Sequence, residues 1–461
     1  MVDLSIDFAG IRSPNPFWLA SAPPTNSGAQ VHKAFEAGWG GAVWKTIGAP
    51  VLNVSNRYGA WHYGSQKMVA INNVELISDR PFELNLCEIA DVKRHWPDRA
   101  VIVSAMVESK PEAWREIVRR IEDTGADAIE LNYGCPHGMS ERGMGSAVGQ
   151  VPEYCEKITS WVKHVARIPV IVKLTPNVTD IVGPARAAVG AGANALSLIN
   201  TINSIVGVDL ETLEITPSVA GKGGHGGYAG PAVKPIALNM LSSVAGDELV
   251  SSYGVPVSGM GGISSWQDAA EFLLLGATSL QVCTAVMHYG FRIIEDLRDG
   301  LTNWMDRQRF KTISDITGKS LQRLSDFKDF DLTFRAVARI DPSKCIKCNL
   351  CYVACNDSAH QCIDLISAEG GRIEPYSYDV RSNGKHDAIA VRPQPRVRED
   401  DCVGCRLCYN VCPVAGCIDM VALPPSQPSI TWDQLSKSQP DVAEDWDAMK
   451  RYRQAKGICI H

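Results

Sequence analysis

The chain has 461 residues, a formal net charge of −6, and 45% hydrophobic against 21% charged residues, the balance of a large soluble protein with at least one sizeable core. The negative charge argues against a nucleic-acid or anionic-membrane surface, since either would favour concentrated positive charge. Fifteen cysteines are sparse for an oxidised secreted scaffold of this length, and there is no apolar leader or 18-residue apolar stretch, so a cytoplasmic protein without a membrane span is expected.

From residue 16 to about residue 283 short apolar runs alternate with amphipathic stretches. Strands are expected at Phe17 to Ala22, Gly41 to Lys45, Val101 to Met106, Asp127 to Asn132, Val170 to Leu174, Ala193 to Ile199, Val255 to Ser258 and Ser279 to Cys283. Between them Glu112 to Thr124, Val151 to Val165, Ile181 to Ala188, Val233 to Val244 and Trp266 to Leu275 read as helices, several entering after Pro, Ser or Asp and leaving at Gly. Gly-Ala or Gly-Gly precedes a strand at 40–42, 125–126, 192–193 and 276–277. Eight such units favour a closed (β/α)8 barrel of the TIM type over an open doubly wound sheet.

In such a barrel the polar C-terminal strand ends face the catalytic mouth. They are Lys45-Thr46, Asn132, Lys173 to Thr175, Asn200-Thr201, Gly261-Gly262 and Cys283-Thr284. A solvated strand end is the plain alternative for either lysine, but several polar ends aimed at one mouth speak against it. Gly226-Gly227 and Gly261-Gly262 would let backbone N–H groups approach a phosphate, although Gly38 to Gly41 offers the same letters at a simple turn. The segment Glu130 to Gly145 leaves a strand and becomes a Gly-rich loop, with Cys135 in its first turn placed to donate a proton above the mouth; the alternative is a small, partly buried hydrophobe. His137 reads as a surface group and Cys155 as core. Residues 285–340 read as amphipathic helix and linker.

Two Cys-x2-Cys-x2-Cys-x3-Cys runs follow, Cys345/Cys348/Cys351/Cys355 and Cys402/Cys405/Cys408/Cys412, the second ending in Pro413. This spacing suits two [4Fe-4S] cubanes whose ligands cross between runs: Cys345, Cys348 and Cys351 with Cys412, and Cys402, Cys405 and Cys408 with Cys355. The remaining seven cysteines, among them Cys362 and Cys417, are unassigned by the motif. The tail from Ala422 carries Pro-Pro, two spaced tryptophans and a basic stretch from Lys450 to Lys456; it reads either as packing across a neighbouring subunit or as a loose extension. The expected division is a barrel over 1–315, a linker over 316–340, a ferredoxin-like domain over 341–422 and an extension over 423–461.

The stretch Asn-x-x-Cys-Pro-His-Gly at 132–138 with Glu-Arg-Gly-Met-Gly at 141–145 resembles the active-site loop of dihydropyrimidine dehydrogenases. So do Asn72 to Ser78, Lys173 to Asp180, Asn200-Thr201, Gly259 to Ile263, Leu280 to Thr284 and Cys345 to Ser358. The resemblance runs to about residue 422 and implies an FMN barrel related to the dihydroorotate dehydrogenases. It implies reduction of C5=C6 of uracil or thymine, with hydride from flavin N5 and a proton from Cys135. By the same resemblance Asn73, Glu75, Asn132, Asn200 and Thr201 contact the pyrimidine, while Ala20, Ser21, Lys45, Thr46, Lys173, Gly227, Gly261, Gly262, Cys283 and Thr284 contact FMN.

Departures from the family pattern are Gly134, where a serine is common, Tyr133 in place of Leu or Phe, and Asn356 instead of proline after the first cysteine run. No strand-led Gly-x-Gly-x-x-Gly for FAD or NAD(P) is present. The chain therefore resembles the bacterial FMN/iron-sulfur subunit that leaves NAD(P)H oxidation to a separate FAD-containing partner, with a homodimer core in a heterotetramer. Two alternatives stand: a related reductase acting on another cyclic imide or unsaturated substrate, and an electron-transfer module with a structural barrel.

Overall fold

The computed structural model describes residues 2–135, 143–373, 392–425 and 428–455. The chain divides into two compact units, Met1–Arg323 and Leu324–His461. In the first, eight parallel strands close a barrel: β1 (Phe17–Leu19), β2 (Gly41–Gly48), β3 (Ala100–Met106), β4 (Ala128–Asn132), β5 (Val170–Lys173), β6 (Ala195–Leu198), β7 (Val257–Met260) and β8 (Ala277–Val282). All eight expected strands are there, and their neighbours follow chain order around the ring. Strands covered on both faces read as unbroken apolar runs, and all seven residues of β3 are buried.

A helix follows each strand: α1 (Gly28–Ala37), α2 (Phe82–His95), α3 (Pro111–Glu122), α4 (Pro152–Val165), α5 (Val182–Gly190), α6 (Lys234–Ala245), α7 (Trp266–Leu274) and α8 (Ile293–Arg307). In α3 a proline at the first turn starts the helix, and Trp114, Ile117, Val118 and Ile121 recur at helical spacing to bury one stripe. Ser27 caps α1, and Gly38 closes it in a left-handed conformation at φ 109°; the glycines there are indeed a turn.

The connections after β2 and β6 build a four-stranded antiparallel sheet that the apolar pattern did not announce. Its order is Ile202–Ser204, Gly226–Ala229, Gln66–Asn73, Tyr58–Tyr63. The barrel count survives because this sheet hydrogen-bonds within itself.

The second unit has an internal two-fold pattern. Ala336–Ile340, within the stretch read as linker, precedes the first cysteine run and pairs antiparallel with Ile418–Ala422, which follows the second. Gln394–Val397 precedes the second run and pairs with Ile363–Ile366, which follows the first. Each half takes the same backbone at its cysteines: Lys347 and Gly404 are left-handed, as are Asn349 and Arg406. The halves diverge at the fourth cysteine. Pro413 biases its predecessor away from helix, and Cys412 is extended at ψ 121°. Asn356 imposes no such limit, and a π-turn continues over Val353–Asp357. Beyond residue 422, Thr431 caps a helix over Trp432–Ser438, and the backbone N–H of Leu332 donates to the Ile430 carbonyl.

Candidate active site and cluster cavities

The strand ends converge on one cleft. It is lined by Ala20, Ser21, Lys45, Thr46, Asn73, Glu75, Asn132, Cys135, Lys173, Asn200, Thr201, Gly261, Gly262, Cys283 and Thr284, together with aromatic and apolar groups. Gly227 is the exception among the expected site residues. It lies in the inserted sheet, where a Cβ would fall 2.4 Å from Thr201 Oγ1, so its missing side chain makes room for Thr201 and its carbonyl accepts from Asn73 Nδ2 at 2.9 Å. His137 and the rest of 136–142 lie outside the described residues.

Strand alternation explains how two adjacent asparagines divide. Asn73 reaches the cleft, whereas Asn72 is fully buried and donates to Ser204. Across the mouth runs a polar chain. Thr46 Oγ1 meets Ser21 Oγ at 3.1 Å and Ser104 Oγ at 2.9 Å, and accepts from Asn132 Nδ2 at 2.9 Å. Asn132 Oδ1 accepts from Asn200 Nδ2 and from the Gly134 backbone, both at 3.1 Å, while Asn200 Oδ1 accepts from the Thr201 N–H. The two amides are thus oriented by each other before any ligand binds.

Gly134 belongs to this chain: a Cβ there would lie 2.3 Å from Asn200 Nδ2. Tyr133 points away from the mouth, its hydroxyl 3.1 Å from Thr159 Oγ1 on α4, so this departure concerns barrel packing. Cys155 is core as expected; it is fully buried, and burial pushes its thiol up to about 12.

Glu75 is a hub. Lys45 Nζ sits 2.6 Å and Arg57 2.7 Å from its Oε1, and the Tyr58 hydroxyl donates to Oε2. Burial acts to raise its pKa, but Lys45, Tyr58 and Arg57 outweigh that and hold the carboxyl below its ordinary range. Arg57 and Tyr58 escaped the sequence reading because they sit in an irregular segment and a mostly exposed strand. Deeper in the barrel, Glu130 accepts from Ser197 Oγ at 2.9 Å and Gln281 Nε2 at 3.2 Å, with Lys173 Nζ 3.8 Å from its other oxygen. Burial pushes the Cys283 thiol up to about 12, opposed by Lys173.

Cys135 is partly exposed at the cleft and packs beside Ile77, Met106 and Met144. Its carbonyl accepts the Ser146 N–H, which ties the start of the loop to its far end.

In the second unit two small cavities collect the cysteines. The first is lined by Cys402, Cys405, Cys408 and Cys355, the second by Cys345, Cys348, Cys351 and Cys412. Each therefore draws three cysteines from one run and the fourth from the other, which follows from the exchange of strands between halves. Each also contains a fifth cysteine, Cys362 or Cys417.

The dihydroorotate dehydrogenase family model matches residues 3–305, and a 4Fe-4S dicluster domain matches 378–420, which contains the second cysteine run. The NAD-dependent dihydropyrimidine dehydrogenase subunit PreA of Escherichia coli K12 is 38% identical over 419 residues, 91% of this chain and 95% of the relative. The chloroplastic dihydropyrimidine dehydrogenase (NADP(+)) of Arabidopsis thaliana is 40% identical over 337 residues, 71% of this chain and 79% of the relative. A crystal structure of dihydroorotate dehydrogenase from Eimeria tenella in complex with ferulenol superposes with a TM-score of 0.56 at 18% identity, covering 68% of this chain and 88% of that one, a likeness of fold. With its closed barrel and its cysteine-lined second unit, the chain belongs to the dihydroorotate dehydrogenase family, as an oxidoreductase of the PreA-type dihydropyrimidine dehydrogenase subunits.

Proposed function

We propose that this chain reduces the C5=C6 bond of a pyrimidine base, uracil or thymine, with Cys135 as the proton donor to C5. The observation that carries the reading is the meeting of Cys135, Asn73, Asn132, Asn200 and Lys173 in one cleft at the C-terminal strand ends. The amide-rich wall suits a ring with alternating N–H and C=O groups, which are costly to bury unpaired. Pre-oriented asparagines would bind the base without first being ordered.

The cleft also fits FMN. Gly261 and Gly262 have φ of 126° and 82°, and a Cβ on Gly262 would lie 2.9 Å from the Gly230 carbonyl oxygen, so this backbone corner stays open only without side chains. Ala20, Ser21, Lys45, Thr46, Lys173, Cys283 and Thr284 would complete the holding set. When bound, the flavin supplies hydride and the clusters supply single electrons. Lys173 provides positive charge where a reduced flavin ring accumulates negative charge, and Glu130 keeps that lysine aimed. Glu75, with both oxygens engaged, acts through Lys45 rather than as an open acceptor.

The two cysteine cavities fit [4Fe-4S] clusters by their donor sets, four thiols each in crossed combination. Electrons would come from a separate subunit carrying FAD and oxidising NAD(P)H, in a heterotetramer built on a dimer of this chain. The isolated chain, loaded with FMN and iron, is expected to reduce uracil with dithionite or reduced viologen and to be nearly inert with NADH or NADPH. Rapid flavin reduction by either nucleotide alone would overturn the division of labour, and failure to turn over any pyrimidine with dithionite would overturn the substrate assignment.

A further inference from the structure

The second unit holds more thiols than two cubanes require. Cys362 and Cys417 occupy equivalent places in the two halves. Each immediately precedes the strand that follows its run, and each offers its carbonyl to the residue after the paired strand: Arg398 N–H to Cys362, Asp341 N–H to Cys417. Both are nearly inaccessible, at 4% and 3% exposure. Both sulfurs also face ligand thiols, Cys362 those of Cys355 and Cys402, and Cys417 those of Cys412 and Cys345. Cys417 Sγ lies 3.8 Å from the Asp341 carbonyl oxygen, an acceptor for its proton. Cys362 Sγ lies 3.5 Å from Cys355 Sγ, inside the cavity lined by Cys355, Cys402, Cys405 and Cys408.

The chemistry of ligation then fixes the direction of that contact. A cysteine bound to iron is a thiolate and has no proton to give. If Cys355 is the fourth ligand, the hydrogen between the two sulfurs belongs to Cys362. Hydrogen bonds to ligand sulfur disperse its negative charge and favour the reduced, more negative cluster, and they are one of the levers that set iron–sulfur potentials.

We propose that Cys362 is a positioning residue that donates S–H to the sulfur of Cys355 and so raises the reduction potential of the cluster in that cavity. The inference rests on the crossed ligand sets proposed above. It assigns part of that potential to a thiol outside the cluster motif.

The test is a redox titration of the holoprotein followed by electron paramagnetic resonance, with iron counted on the same samples. Cys362→Ala should keep all its iron and lower the potential of one cluster while the other stays in place. Cys362→Ser, which restores a donor, should lie nearer the wild type. Loss of iron in Cys362→Ala would make Cys362 a ligand and overturn the proposal. Unchanged potentials in Cys362→Ala would overturn it as well, and so would a serine variant shifted as far as the alanine, because cavity filling rather than the proton would then set the potential. Failure of the crossed sets is read separately: iron retained in full by a Cys355→Ala/Cys362→Ala double variant, which has no spare thiol to take over, would remove Cys355 from the cluster.

Discussion

At the barrel mouth, side chains as distant in sequence as Ser21 and Thr284 meet because eight strands end at one face. In the second unit the eight cluster cysteines lie in two short runs, and the exchange of strands between halves decides which four share a cavity. The mouth is held together by its own polar groups, Thr46 to Asn132 to Asn200 and Lys45 to Glu75. The cluster cavities are held by backbone pairing around thiols. Damage should therefore spread differently: at the mouth through side-chain partners, in the second unit from one run to the cluster of the other.

The sharpest break of this comparison is Cys355→Ser. It should cost the cluster whose other three ligands are Cys402, Cys405 and Cys408, reducing iron from about eight to about four atoms per chain. Spectroscopic loss of the cluster of its own run instead would show that the ligands do not cross. Next in size is Cys135→Ala. If the mouth works residue by residue, it should leave FMN bound and reducible yet slow base reduction by roughly 10² to 10⁴-fold, the usual worth of a positioned acid. Unchanged single-turnover oxidation of reduced flavin by uracil would defeat that role.

Glu75→Gln tests whether the mouth is held by its own charges. It leaves Lys45, whose side chain is only 5% exposed, without its carboxylate, a change expected to cost about 3–5 kcal/mol when a buried pair is broken. The pH dependence carries the sign. Glu75 has a folded-state pKa below its ordinary 4.5, so its contribution is complete above that value and fades as pH falls through the lower, folded one. Denaturant midpoints of the variant should be lower at neutral pH and should approach those of the wild type in acid. A constant difference across pH would mean that the carboxylate charge is not what matters.

The smallest effect is that of Gly134→Ser. The family's common serine suggests a lost substrate contact, but here a Cβ would meet Asn200 at 2.3 Å. Pushing Asn200 aside should cost about 1–3 kcal/mol as overpacking and raise KM for every pyrimidine alike. A change in the ratio of kcat/KM between uracil and a bulkier imide, without loss of stability, would return residue 134 to the specificity argument.

The unequal legibility of the two regions has the same origin. Cysteine spacing is local, so both runs could be read from letters alone, and the eight strands carried the buried apolar pattern of a parallel barrel. Lys45, Asn132, Lys173 and Asn200 were visible as polar ends of those strands, and the cleft gathers them. Hidden were the contacts that need tertiary pairing. Arg57 and Tyr58 reach Glu75 through a hairpin with little buried apolar surface, and Gly227 looked like a phosphate turn until its strand placed it against Thr201. Likewise the meaning of Asn356 lay in what it permits, a π-turn that Pro413 forbids in the other half.

The pairing of Ala336–Ile340 with Ile418–Ala422 also bears on how the protein is made. As the chain leaves the ribosome, the first of these strands emerges as an unpaired edge, and it stays so until the whole second run and the strand beyond it have been translated. Under the crossed assignment the first four cysteines cannot complete a cubane among themselves. Iron loading then becomes a late event in biosynthesis, and a message truncated between the two runs would yield a barrel joined to an exposed strand edge and four thiols, a species suited to aggregation and quality control rather than to partial function.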